Sequence, residues 1–250
     1  MDKLGVCTSR HVRTVSLVVT LIDDFTGRTI TGSNARVWID GAKPPIKKAE
    51  GWNVFVNLPA GEHTIHAEGG FYNKTAFVCR VFDGTYTAIK LRLTPSKNAP
   101  LASDAASVEG KTLPGGMVWL RPDDRALSYK LLTDAKAGEQ CVGIYHPDGI
   151  DIEGKLFCIR SGDDEEYVRV CRADADGQVG YRLDMPLSRD YPKIGTLVYP
   201  VSECCAGERG EFFIPIRSLP DRGTVFICRL ADGKVRELTL APGRRIRLED

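Results

Sequence analysis

Apolar residues alternate with polar ones along nearly the whole chain and hardly anywhere recur at every third or fourth position. Successive side chains of a strand point to opposite faces, whereas a helix needs a period of 3.6, so the chain is expected to be all-β. In the first part the candidate strands are Val15 to Ile22, Ala35 to Ile39, Asn53 to Val56, His63 to Ala67, Thr75 to Val81 and Tyr86 to Leu93. Turn residues separate them: Asp23-Asp24 with Gly27, Asp40-Gly41, Pro59-Ala60-Gly61, Gly69-Gly70 and Asp83-Gly84. Short strands at near-even spacing between Gly, Pro and Asp are the pattern of a two-sheet sandwich.

From Thr94 to Gly116 the text loses its period and becomes rich in Pro, Ser, Ala and Gly, which reads as a linker. A second β-rich region follows, with strands expected at Met117 to Leu120, Cys141 to Tyr145, Leu156 to Ile159, Tyr167 to Cys171, Thr196 to Val201, Glu211 to Ile216, Thr224 to Leu230, Val235 to Leu240 and Arg244 to Leu248. Only Leu127 to Ala135, with Leu127, Leu131 and Ala135 four apart, has a helical spacing. The expected organisation is therefore a sandwich over residues 1–94, a linker over 95–116, and a second sandwich or barrel-like domain over 117–250. A chain of 250 residues suits this division.

Hydrophobic residues make up 42% of the chain, enough for a core that needs no disulfide or metal. The cysteines Cys7, Cys79, Cys141, Cys158, Cys171 and Cys228 stand singly, most of them in apolar strand-like runs, and read as buried free thiols. No run approaches the apolar length of a membrane span. The first fourteen residues lack the apolar core of a secretory signal, so a cytoplasmic location is expected, free or as part of a released particle. A balance of 34 basic and 33 acidic residues argues against a nucleic-acid partner. The charges divide unevenly, with 13 basic and 8 acidic residues in 1–100 and 21 basic and 25 acidic in 101–250, so the two parts can attract each other or neighbouring copies.

The runs Asp23-Asp24-Phe25-Thr26-Gly27-Arg28-Thr29-Ile30-Thr31-Gly32, Ala35-Arg36-Val37-Trp38-Ile39 and Gly51-Trp52-Asn53-Val54-Phe55-Val56-Asn57-Leu58-Pro59-Ala60-Gly61, continuing to Gly70-Phe71-Tyr72, carry a resemblance. This segment resembles the carboxypeptidase-regulatory-like, transthyretin-like (CnaB-like) β-sandwich. The resemblance implies an all-β, Ig/transthyretin-like N-terminal fold, and a scaffold or interaction role, since such modules are usually not catalysts. The internal Lys–Asn isopeptide bond of CnaB-like surface domains is not expected, because Thr14 to Ile22 contains no lysine. Leu219-Pro220-Asp221-Arg222-Gly223 has Arg where a surface-sorting signal needs Thr, and reads as a turn. The combination VTLIDDFTGRTITG with PPIKKAEGWNVFVNLPAG also resembles small accessory proteins of phage-tail-like contractile assemblies, which implies a structural role.

Catalytic and metal-binding patterns are scarce. His63 and His66 are three apart on an expected strand and so face opposite sides. No C-x-x-C, H-E-x-x-H or G-x-S-x-G motif occurs. Cys204-Cys205 lies in a turn-like stretch and reads as loop thiols. The acidic residues Asp148, Asp151, Glu153, the run Asp163 to Glu166, Asp174 and Asp176 suit hairpin turns. An EF-hand register on Gly177 fails, because Arg172 and Leu183 fall where acidic ligands are needed. A calcium site between loops, or a hydrolase cleft formed by Asp148, Asp151, Glu153, Asp174 and Asp176, would need these residues to converge. Trp52 and Phe55 fall on opposite faces of one strand, with Phe55 expected inside.

The sequence thus points to a non-enzymatic structural or adaptor protein contacting other subunits of a larger assembly, with no catalytic residue, metal or cofactor expected. The alternative is a carbohydrate-binding or adhesin module using exposed aromatics. For either partner, protein or glycan, the candidate contact residues are Trp38, Lys43, Lys47, Lys48, Trp52 and Tyr72: aromatic faces that partners stack upon, and lysines that can dock an acidic surface.

Overall fold

The computed structural model describes residues 13–147, 149–173 and 180–248. The first half contains β1 (Val15–Asp23), β2 (Ala35–Ile39), β3 (Ile46–Lys47), β4 (Trp52–Val56), β5 (Gly61–Gly69), β6 (Tyr72–Val81) and β7 (Thr87–Leu93). These form two sheets, ordered β3-β4-β1-β7 and β2-β5-β6. The alternating residues Leu17, Val19 and Leu21 of β1 turn inward with Phe55, Leu91 and Leu93. They meet Val37, Ile39, Ile65, Ala67, Cys79 and Val81 of the facing sheet in one core. β7 runs parallel to β1, with Leu17 opposite Thr87 and Asp23 opposite Leu93. That pairing carries the chain to the same end as Asp24, where the second half begins.

The second half contains β8 (Ala106–Lys111), β9 (Met117–Pro122), a short 3₁₀ turn (Arg125–Leu127), β10 (Lys130–Leu131), β11 (Cys141–Val142), β12 (Ile144–Tyr145), β13 (Leu156–Ser161) and β14 (Asp164–Ala173). It continues with β15 (Tyr181–Leu183), β16 (Leu197–Cys205), β17 (Glu211–Ile216), β18 (Thr224–Arg229), β19 (Val235–Leu240) and β20 (Arg245–Arg247). Eight of these strands form one sheet, ordered β11-β15-β14-β13-β16-β9-β18-β19. The three-stranded sheet β17-β8-β20 covers one end of it over Val108, Val118, Leu120, Phe212, Ile214, Phe226 and Cys228. The segments around β10 and β12 pack over Phe157, Ile159, Val168, Val170 and Val198 at the other. The protein is all-β, built of sandwiched sheets.

Three local expectations differ from the structure. The aperiodic text after Thr94 contains β8, which is antiparallel to β17 and parallel to β20. Its Ala106 and Val108 are fully buried, so this segment is part of the core rather than a free connection. The four-residue spacing of Leu127, Leu131 and Ala135 does not make a helix. The chain straightens after the 3₁₀ turn because Tyr129 pairs with Val198 and Lys130–Leu131 with Tyr145–Ile144, and Leu131 and Ala135 are buried from extended backbone. Ser202 to Cys205 is strand rather than turn, paired with β9.

Phe55 is 2% exposed while Trp52, on the opposite face, is 50% exposed. Phe55→Ala is expected to lower unfolding stability by about 3–5 kcal/mol, and Trp52→Ala to change it by no more than about 0.5 kcal/mol, as measured by urea denaturation.

Candidate functional site: the cleft between the two β-regions

The turn that brings the chain into β13 presses against β7 of the first sandwich. Gly154, at a φ of 78°, lies so close to β7 that a Cβ there would stand 2.4 Å from the Lys90 carbonyl oxygen. Only glycine permits both that backbone and that approach. Lys90 Nζ then reaches Asp151 at 2.7 Å and Glu153 at 2.9 Å. Arg92 donates from Nε to the Glu153 carbonyl at 2.9 Å and also to the Asp151 carbonyl.

Beneath this layer Asp24 receives Lys155 at 3.0 Å and Arg92 at 3.5 Å, the three side chains being 10%, 17% and 7% exposed. Burial alone would raise the Asp24 carboxyl. The charges of Lys155 and Arg92, each also hydrogen-bonded to it, override that and hold it below the usual carboxylate range. Three more bonds cross the joint: Thr94 Oγ1 donates to the Glu203 carbonyl, and Asn73 Nδ2 donates to the Phe213 carbonyl and to Cys204 Sγ, both at 3.2 Å.

Beside this joint opens a cleft of about 610 Å³. Its origin lies in the large sheet. β9 is paired with β16 only where Met117–Leu120 face Ser202–Cys205, while Arg121 and Pro122 pair with β18 instead. Pro200 stands where β16 has lost β9, so its missing N–H leaves no gap in the ladder on that side. The cleft is lined by the buried Leu120, Ile216 and Phe226, by Pro122, Pro200 and Pro215, by Phe25 and Tyr129, and by the exposed Tyr145 and Ile150. Tyr145 is 64% exposed. Ser218, also in the lining, holds a φ of 58°, a left-handed conformation that a non-glycine residue adopts at a cost.

The residues expected from sequence are not gathered in one place. Trp52, Lys47 and Lys48 lie on the β3–β4 hairpin, where Lys47 Nζ donates to the Ala35 carbonyl at 3.3 Å. Lys43 lies in the loop before β3, on a separate hollow that includes Asp40 and His63. Trp38 is on the outer face of the other sheet, stacked on His66 at 5.3 Å with the Arg36 guanidinium 4.9 Å from its ring. Tyr72 is tied inward: its hydroxyl donates to Asp23 Oδ2 at 3.0 Å, and burial together with the Asp23 charge pushes its pKa up to about 12.

His63 and His66 do fall on opposite faces, His63 sharing the side of the buried Ile65. Asp151 and Glu153 converge on Lys90 rather than on an open cleft; Asp148, Asp174 and Asp176 lie outside the described residues. Glu165, from the acidic run, is held by Arg121 and Arg229. Among the described residues no group of three or more His, Cys, Asp or Glu is placed to hold a metal ion. Burial pushes the Cys204 thiol up to about 11 and Cys158 to about 12, which keeps both protonated at neutral pH.

No protein-family model matches the chain, and no curated protein sequence does. Among solved structures it is similar to the Bacillus anthracis TIE protein, at 10% identity over 94% of this chain and 33% of that one, with a TM-score of 0.29. The chain thus spans about a third of that protein's length. It is also similar to the family CBM26 module CBMbc of Eubacterium rectale Amy13K, solved with maltoheptaose, at 11% identity over 93% of this chain and 90% of that one, TM-score 0.22. The Bacillus cereus major pilin subunit BcpA is similar at 11% identity over 94% of this chain and 70% of that one, TM-score 0.25. Among the described residues no helix is long and apolar enough to cross a membrane.

Removing the Asp24 charge with Asp24→Asn leaves Lys155 and Arg92 buried without their carboxylate, and is expected to cost about 3–5 kcal/mol in urea denaturation at neutral pH. Because the folded pKa is depressed, this stabilisation is complete above the ordinary value of 3.8 and is lost as pH falls through the lower folded value. The wild-type protein should therefore lose stability on acidification below about pH 4 more steeply than Asp24→Asn. Gly154→Ala should destabilise by about 1–3 kcal/mol from backbone strain alone. Combined with Asp24→Asn it should show a non-additive effect, since both act on one joint.

Proposed function

We propose that this protein is a non-enzymatic adaptor that holds other protein subunits of a larger assembly, with the cleft between its two β-regions as a contact site. The observation that carries this reading is the joint: buried charge pairs fix two sheet systems around a mouth walled by prolines and aromatic side chains. Such a surface binds by shape and apolar contact. Its described lining has three serines but no histidine or cysteine to activate them, and its one carboxylate, Asp24, is consumed by two cations.

The resemblance of the first half to carboxypeptidase-regulatory-like modules supports a scaffold role. The resemblance to accessory proteins of phage-tail-like assemblies suggests what kind of assembly it serves. A second reading, carbohydrate binding, is favoured by the half-exposed ring of Trp52.

The test is a mild affinity purification of the tagged protein from its native cell, followed by sizing and mass spectrometry. Co-elution of a defined set of proteins, lost on Leu219→Arg in the cleft wall but kept on Val78→Arg on the far sheet, is the expected outcome. Recovery as a lone 27.5 kDa species would overturn the adaptor reading. Quenching of tryptophan fluorescence by glycans, abolished by Trp52→Ala, would then support the alternative.

A further inference from the structure

We infer that the cleft is one half of a longer groove whose occupant is an extended acidic segment of a partner protein. This rests on the adaptor reading and specifies what the site takes. The cleft shares Phe25, Pro95 and Arg217 with a second hollow of about 430 Å³, lined by Phe71, Tyr72, Pro100 and Leu101. The two together run from Tyr145 across the joint to Phe71, a course suited to a chain rather than a compact ligand.

Charge selects the kind of chain. Lys130 and Arg217 on the first hollow and Arg28 on the second are exposed. None of their side chains makes an ion pair or hydrogen bond among the described residues. The two carboxylates of the described lining are both hydrogen-bonded. Asp23 accepts from the Phe25 and Thr26 amides and the Tyr72 hydroxyl, and Asp24 is held by Arg92 and Lys155. The described walls therefore carry three unpaired cations against one carboxylate, Asp23, that is hydrogen-bonded but not ion-paired, which leaves the balance positive.

The wall chemistry selects the backbone. Pro95, Pro100, Pro122, Pro147, Pro200 and Pro215 line the groove and have no N–H to offer a ligand's backbone. Aromatic and proline surfaces suit an extended polyproline II segment, whose side chains project into apolar hollows. Sugars are disfavoured, because the described lining contains no Asn, Gln or Glu and its two Asp side chains are occupied. A nucleic acid would need a continuous basic track, whereas the free cations here are three.

The test uses the full chain and fluorescence anisotropy at low salt. The probe is a labelled dodecapeptide of alternating glutamate and proline, compared with its lysine–proline counterpart, an oligothymidine of the same length and an oligogalacturonate. The glutamate peptide should bind at least about tenfold more tightly than the other three. Its affinity should fall about tenfold on combining Lys130→Glu with Arg217→Glu, and stay unchanged in Arg236→Glu, which lies away from the groove. Lys130, Arg217 and Arg236 are exposed, so these variants should keep the wild-type unfolding midpoint, and Leu219→Arg counts only where its midpoint is also kept. Equal binding of the two peptides, indifference to the double substitution, or preference for the nucleic acid or the sugar would overturn the inference. If the glutamate peptide fails while Leu219→Arg still strips the co-purifying proteins, the adaptor reading stands and the acidic extended occupant is wrong. If Leu219→Arg strips nothing as well, both fall.

Discussion

The carboxylate of Asp24, buried between Lys155 and Arg92, is the interaction on which the arrangement of this protein depends. A charge taken out of water is costly unless its partners are in place. Here two of the three charges come from the first sandwich and the third from the second region. Neither half satisfies the set alone. The ion cluster therefore defines the one way the halves fit, and it sets Asp24 and Lys155 beside the opening that the large sheet leaves.

Much of the architecture was legible in the sequence because the strands of the first half have one buried and one wet face. Leu17, Val19 and Leu21 alternate with Val18 and Thr20, and Phe55 could be assigned to the core from parity alone. β8 was not legible. It is short, ends in Glu-Gly-Lys, and meets its antiparallel partner β17 about a hundred residues later, so nothing local marks it as a strand. The pattern at Leu127, Leu131 and Ala135 misled for a related reason: its spacing suits a helix, but pairing with Val198 and Ile144 chose the backbone.

The cleft was invisible for a different reason. Its walls come from Asp24, Tyr129, Tyr145, Pro200 and Leu219, and no window of sequence contains more than a few of them. Asp24 looked like a turn residue, which it also is. One signal was present. Pro200 falls inside a run that otherwise reads as a central strand, where proline is out of place unless one side of the ladder is open. The sheet is open there, and the opening is the cleft. Exposed aromatics and lysines pointed instead to the β3–β4 hairpin, whose Trp52 is half exposed.

The contacts that close the joint also have a kinetic consequence. Lys155 and Asp24 are 131 residues apart in the chain, and Asn73 and Phe213 are 140 apart. Ordering so long a loop is entropically costly, so such contacts, like the pairing of β8 with β17 and β20, form late in folding. Interactions absent from the folding transition state act mainly on the rate of unfolding. The joint thus works as a latch: it does little to hasten assembly, and once shut it slows the separation of the two sheet systems, keeping the mouth between them in one shape.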